Sequence, residues 1–208
     1  MKIQFAYKLN ESFAIYAGKN EKGIFHFKDK VFLIDIIQYT IFSYIIRNNG
    51  LFIHSSCSKT NGSSIIFPGE SHSGKSTLIN LIDGSLDFKM LHDDLTCVYF
   101  EGNNKIPFVQ PFPFLTPDKI SPYCNKKFPL KAIFFLNGKG RNTIKKISKV
   151  KAFQLLIKNI INYKLNYYYS QSILDTSARI VEVVPCYTLS FKKDPSIANL
   201  ILKTLDEI

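Results

Sequence analysis

Residues 65–82 place the tightest constraint on what this chain can fold into. An apolar run, Ile65-Ile66-Phe67, feeds Gly69-Glu70-Ser71-His72-Ser73-Gly74-Lys75-Ser76, and Thr77-Leu78-Ile79-Asn80-Leu81-Ile82 follows. The pattern G-x-x-x-x-G-K-[ST] between a buried strand and a helix start is that of a phosphate-binding loop. Each part has a physical task. The glycines let the backbone turn its N–H groups towards phosphate oxygens. The position of Lys75 is that of the cation reaching the β- and γ-phosphates, and the Ser76 hydroxyl stands where Mg²⁺ is ligated. The helix N-terminus adds a partial positive charge. The segment therefore predicts nucleoside-triphosphate binding, with Gly69, Glu70, Ser71, His72, Ser73, Gly74, Lys75, Ser76 and Thr77 lining the site.

A triphosphate loop leaves the fate of the γ-phosphate open, because transfer also needs a carboxylate for the metal and a group to receive the acceptor proton. Asp93 and Asp94 stand 17 and 18 residues beyond Ser76, at a strand entrance. On an extended segment neighbouring side chains point to opposite faces, so one aspartate is expected to hold Mg²⁺ and the other to face an acceptor hydroxyl. An Asp-Asp pair alone more often marks a solvated turn; its place after the loop and before a strand reverses that reading. His54 falls on a strand expected beside that of the loop, where an acid–base role or contact with the γ-phosphate is open to it, although spacing alone favours a structural histidine. His72 and His92 are weaker candidates for contact with phosphate or carboxylate.

The rest of the chain reads as a mixed α/β fold. Residues 3–7, 13–17 and 23–28 alternate like a small antiparallel β unit, and 31–47 read as a helix stopped by Asn48-Asn49-Gly50. Residues 51–57 predict a strand that turns through Asn61-Gly62 into the strand before the loop. Further strands are expected at 95–100, 131–136 and 181–191, the last on an edge or at a bulge because it contains Pro185. Helices are expected at 149–163 and 195–207, and a long surface loop at 101–129. No repeat or linker divides the chain, so one domain is expected over 1–208, with a β cap and helix at 1–48 and the loop-bearing core at 49–208.

Bulk properties bound the setting. With 46% hydrophobic and 21% charged residues over 208 positions, the composition is that of a globular protein. Cys57, Cys97, Cys124 and Cys186 lie far apart without a C-x-x-C pair, which predicts reduced thiols in a cytoplasmic protein rather than a zinc site. The first residues hold no long apolar stretch, so no secretory signal is expected. Residues 31–46, the most apolar run, contain Asp35 and Gln38 and read as a buried helix rather than a membrane span. The net charge of +11 is concentrated: Lys119 to Leu174 holds twelve Lys or Arg and no acid. That stretch fits either a phosphate-rich or acidic partner or a plain solvated surface.

The series Phe52-Ile53-His54-Ser55-Ser56-Cys57, the loop Gly69–Ser76 and the pair Asp93-Asp94 resembles the catalytic core of the HPr kinase/phosphorylase family. It looks closer to the smaller HPr-kinase-related proteins of peptide-modification clusters, some of which phosphorylate a serine on a lasso-type precursor peptide. In the family a histidine precedes the first loop glycine by fifteen residues, as His54 precedes Gly69. The resemblance implies a core shared with phosphoenolpyruvate carboxykinase, a mixed sheet flanked by helices. It further implies ATP and Mg²⁺, with Lys75 on phosphate, Ser76 on the metal, Asp94 as proton acceptor and Asp93 assisting with metal and water. The implied acceptor is a serine on a peptide or small protein, and relatives with this core often form homo-oligomers. The E-I-R-G-L-G segment of true HPr kinases has no counterpart; residues 101–129, with Phe108, Phe112-Pro113-Phe114 and Asp118, stand in its place. The alternatives are a nucleotide-dependent switch without phosphoryl transfer and a nucleic-acid-associated ATPase. The last is disfavoured by the lack of an aromatic-basic motif or helicase pattern.

Overall fold

The computed structural model describes residues 3–9, 12–18, 22–26, 41–85, 87–111, 126–161 and 167–208, and the chain divides into two units, Met1–Tyr44 and Ile45–Ile208. In the first, β1 (Ile3–Leu9), β2 (Ser12–Gly18) and β3 (Lys22–His26) form an antiparallel meander with Ile3 opposite Gly18 and Phe13 opposite His26. The alternating pattern predicts this unit; residues 27–28 of the third strand and 31–40 of the expected helix lie outside the described residues. Residues 41–47 are helical (α1) and end as expected at Asn48-Asn49-Gly50, with Asn49 at φ 58° in the left-handed conformation that closes helices.

Among the described residues the second unit is built on eight strands. β4 (Gly50–Thr60) turns through Asn61 and Gly62, at φ 47° and 76°, into β5 (Ser63–Pro68). Two consecutive positive φ values make the type I′ hairpin that Asn-Gly favours. Helix α2 (Lys75–Ile82) follows the glycine loop, and β6 (Lys89–His92) and β7 (Leu95–Tyr99) come next, both antiparallel to β4. β8 (Phe108–Pro111) pairs with β7 and with the start of β9 (Phe128–Lys139). β9, β5, β4, β7 and β8 thus close into a ring. β11 (Cys186–Phe191) extends the sheet parallel to β9, and β10 (Thr143–Lys146) lies antiparallel to β11 at the end. Helices α3 (Lys149–Lys158) and α4 (Tyr167–Val183) make the crossover from β10 to β11, and α5 (Ser196–Asp206) closes the chain.

The apolar residues sort into two layers by strand alternation. Ile66, Ile133, Phe135 and Cys186 pack with Ala152 and Leu156 of α3 and Ile173 and Ile180 of α4. Ile65, Phe67, Phe134, Leu189 and Phe191 pack with Leu78 and Ile79 of α2 and Ile197 and Ile201 of α5. β5 and β9 are therefore buried on both faces, which is why they read as continuous apolar runs rather than alternating ones. Among the described residues no helix is long and apolar enough to cross a membrane.

Several expectations need correction. The stretch 101–129 is no uninterrupted loop: β8 lies within it, held by buried Val109 and by ladders on both sides, while 112–125 lie outside the described residues. Helix α3 stops at Lys158 rather than 163, because Ile160 forms a bridge with Ile53 of β4. Residues 181–183 belong to α4, and Pro185 precedes β11, which is internal rather than an edge. A proline just before a strand has no ladder N–H to supply, and its carbonyl accepts from Ile133 N–H at 3.0 Å. β10 and α4 were not expected.

Candidate functional site

Register brings the site residues together. Ser55 pairs with Pro68 and Ser56 with Phe67, so the middle of β4 lies beside the last residue of β5, where the glycine loop begins. His54 and Ser56, two apart, share the face of β4 opposite the Leu51, Ile53 and Cys57 row of the α3–α4 layer. The His54 backbone is fixed from two sides: it pairs with Leu95 of β7, and its N–H donates to the Asn159 carbonyl at 2.8 Å.

The loop has the shape its glycines permit. A Cβ on Gly69 would collide with the Ser73 hydroxyl, so a side chain there would force Ser73 away. Ser73 N–H donates to the Glu70 carbonyl at 3.1 Å, and His72 and Gly74 take φ values of 65° and 100°. Gly74 caps α2 without any side-chain hydrogen bond, and the first helical bond runs from Leu78 N–H to its carbonyl at 2.9 Å. The N–H groups of the first helical turn are left without intrahelical partners, aimed where an anion is best received. The Ser73 hydroxyl is a buried polar group with no protein partner, a further sign of a polar cradle.

Lys75 is buried, and its ammonium donates to the Gly69 and Glu70 carbonyls at 2.7 and 2.9 Å. Burial lowers its pKa from 10.5, against the opposing pull of Asp94 and then Asp93. The two carboxylates are thus electrostatic neighbours of the lysine. Asp94 Oδ1 lies 3.3 Å from His54 Nε2, and Asp93 Oδ1 accepts from Ser56 Oγ at 2.6 Å. His54 is held below its ordinary 6.5 by burial first and by Lys75 second, with Asp94 pulling the other way. The Asp93-Asp94 step is a bend between β6 and β7. His92 Nδ1 accepts the N–H groups of Asp94 and Leu95 at 3.2 and 3.3 Å, and the Asp94 carbonyl accepts from Ser55 N–H at 3.1 Å.

This bend corrects the expectation that the two acids point to opposite faces. Away from extended geometry the pleat no longer alternates them, and both carboxylates meet β4 residues of one face, His54 and Ser56. The sequence reading missed Ser56, although its spacing of two from His54 on a strand is the signal that places both on one side. It also missed the far wall of the cleft over the loop. That cleft, of about 640 Å³, is lined by residues 72–77 on one side and by Gly140, Phe191, Lys192 and Lys193 on the other.

For a metal, Ser76 stands exposed in the first turn of α2 and Asp93 is held by Ser56. Among the described residues no three His, Cys, Asp or Glu side chains gather into a cage. A hydroxyl and one carboxylate, with phosphate and water completing the shell, is the donor set that suits Mg²⁺. The loop amides and the unpartnered Ser73 Oγ fit a phosphate chain that would bring the ion there.

No family model matches the sequence, and no curated protein does. Among solved structures, the HPr(Ser) kinase/phosphatase from Coxiella burnetii matches over 75% of this chain and 93% of its own, at 12% identity and a TM-score of 0.37.

Proposed function

We propose that the protein binds ATP with Mg²⁺ on residues 69–77 and transfers the γ-phosphate to a serine hydroxyl of a peptide or small protein. The observation that carries this reading is the convergence of His54, Ser56, Asp93 and Asp94 beside Lys75 at the mouth of the loop. In this reading Asp94 takes the proton of the incoming serine as its oxygen bonds to the γ-phosphorus. The bond from that phosphorus to the β–γ bridging oxygen breaks, and ADP leaves with the electron pair. His54 orients the Asp94 carboxylate through the contact at 3.3 Å. Lys75 and the loop amides stabilise the charge spreading over the transferring group. Asp93, fixed by Ser56, and Ser76 would hold Mg²⁺, which would supply positive charge against the phosphate chain.

The test is incubation with Mg-ATP and serine-containing peptides, read by intact mass. Wild type is expected to add phosphate to a peptide and Lys75→Ala to add none. Asp94→Asn keeps nucleotide binding and loses transfer by about 10²–10⁴-fold, the usual share of a general base. Transfer that survives Asp94→Asn removes that aspartate from its role. Nucleotide binding with no transfer to any peptide favours the switch reading.

A further inference from the structure

β5, β9 and β11 run parallel, so their carboxyl ends share one edge of the sheet. Three features emerge there: the glycine loop after β5, Gly140 after β9, and Phe191-Lys192-Lys193 at the end of β11. In strand order β5 stands between β9 and β11 on one flank and β4 with β7 on the other. The two flanks carry opposite charge. The β4–β7 side brings Asp93 and Asp94, and the β9–β11 side brings Lys192 and Lys193 into the cleft wall.

The lysine rim is braced from its own backbone. Lys192 N–H donates to Asn142 Oδ1 at 2.9 Å, and Asn142 Nδ2 donates to Ser196 Oγ at 3.0 Å. Asp194 Oδ1 accepts from Ser196 N–H at 2.9 Å while its Oδ2 lies 3.0 Å from Lys192 Nζ. The Phe191 ring sits 3.2 Å from where a Cβ on Gly74 would lie, so the rim packs directly against the loop. Lys192 is thus tied to Asp194, and both it and the neighbouring Lys193 are exposed.

We infer that Lys193, with Lys192 beside it, grips the α-phosphate at the nucleoside end of the bound triphosphate and so sets the polarity of the nucleotide across the loop. The γ-phosphate then lies towards Asp93, Asp94 and His54, and the nucleoside towards Gly140 and the lysines. This inference rests on the reading of residues 69–77 as a nucleotide site and adds a residue and an orientation to it. Placed the other way, the phosphate chain would carry its γ-phosphorus to the lysine side of the loop, away from Asp94, to which the proposed reading assigns the acceptor proton, and from Asp93 and Ser76, to which it assigns Mg²⁺.

The experiment measures the affinity of ATP and of ADP for wild type, Lys193→Ala, Lys193→Arg and Lys203→Ala, an exposed α5 substitution that matches the loss of charge. Lys193→Ala is expected to weaken ATP and ADP by the same factor, about tenfold, because both carry the α-phosphate. Lys193→Arg should restore most of it, and Lys203→Ala should leave both within twofold. Loss of ATP affinity with ADP untouched overturns the inference by placing the lysine on the γ-phosphate. Unchanged affinities, or an equal effect from Lys203→Ala, overturn it too. Wild type that binds neither nucleotide overturns the loop assignment and this inference together, whereas wild type that binds both while Lys193→Ala does the same overturns this one alone.

Discussion

His54 is a weak base in this setting, and the reason lies in its neighbours. Burial removes water from the imidazole and the Lys75 ammonium adds a like charge, and together these outweigh the attraction of Asp94. The folded-state pKa therefore lies below 6.5, and between that value and 6.5 the unfolded chain binds more protons than the folded one. Stability rises with pH across this window, is fully present above 6.5 and is lost as pH falls through the folded value. His54→Gln, which keeps a side-chain donor towards Asp94, should remove this contribution. Thermal melting of the two chains between pH 7 and pH 5 checks it: wild type should lose more of its melting temperature than the variant. Parallel losses would mean that His54 does not titrate differently in the two states. Of these residues, Lys75, Asp93 and Asp94 stand out in the sequence through the glycine loop and the acid pair that follows it, and His54 only through the family resemblance. Ser56 and Lys193 do not, since one acts through its strand partner and the other reaches the cleft through a sheet pairing far along the chain.

At the scale of elements, the legible pieces are those whose local chemistry decides their shape. Asn61-Gly62 fixes the hairpin and Gly69 to Ser76 fix the loop, both through backbone conformations few residues adopt. β8 and β10, four residues each, are held by pairing with neighbours rather than by propensity, and so leave little local trace. In α4 the row Tyr169, Ile173, Ser177, Val181 has helical spacing, but a buried serine interrupts its apolar stripe. The same logic gives a prediction for Gly74. Its φ of 100° disfavours any Cβ, and one placed there would press the Phe191 ring at 3.2 Å. Gly74→Ala should cost about 1–3 kcal/mol, which at this chain size lowers the melting temperature by about 2–4 °C per kcal/mol. Gly62→Ala meets nothing within 4 Å, so its cost is backbone strain alone and should be smaller. Equal losses from both substitutions would show that the contact with Phe191 contributes nothing.

For the molecule as a whole, the basic stretch reads differently once its residues are placed. Lys127 pairs with Glu101 and Lys149 with Glu182, and Lys145, Lys146 and Lys151 are exposed. Much of the stretch is a solvated and partly paired surface, while Lys192 and Lys193 at the cleft belong to a different part of the chain. The interior offers a sharper test, because three cysteines report on it from three strands. Cys57 of β4, Cys97 of β7 and Cys186 of β11 are buried free thiols. Burial pushes Cys97 and Cys186 up to about 12 and raises Cys57 as well, so almost no thiolate exists near neutral pH. Pulsed alkylation in rising denaturant, read peptide by peptide, should find all three silent in the native state. If the sheet links its two apolar layers into one cooperative body, the three should become reactive at a single midpoint. Cys97 labelling first would instead mark β7 and β8 as a flap that opens below the global transition. Because the Asp93-Asp94 bend hangs on the start of β7, such a flap would carry the acids away from Lys75 whenever it opened.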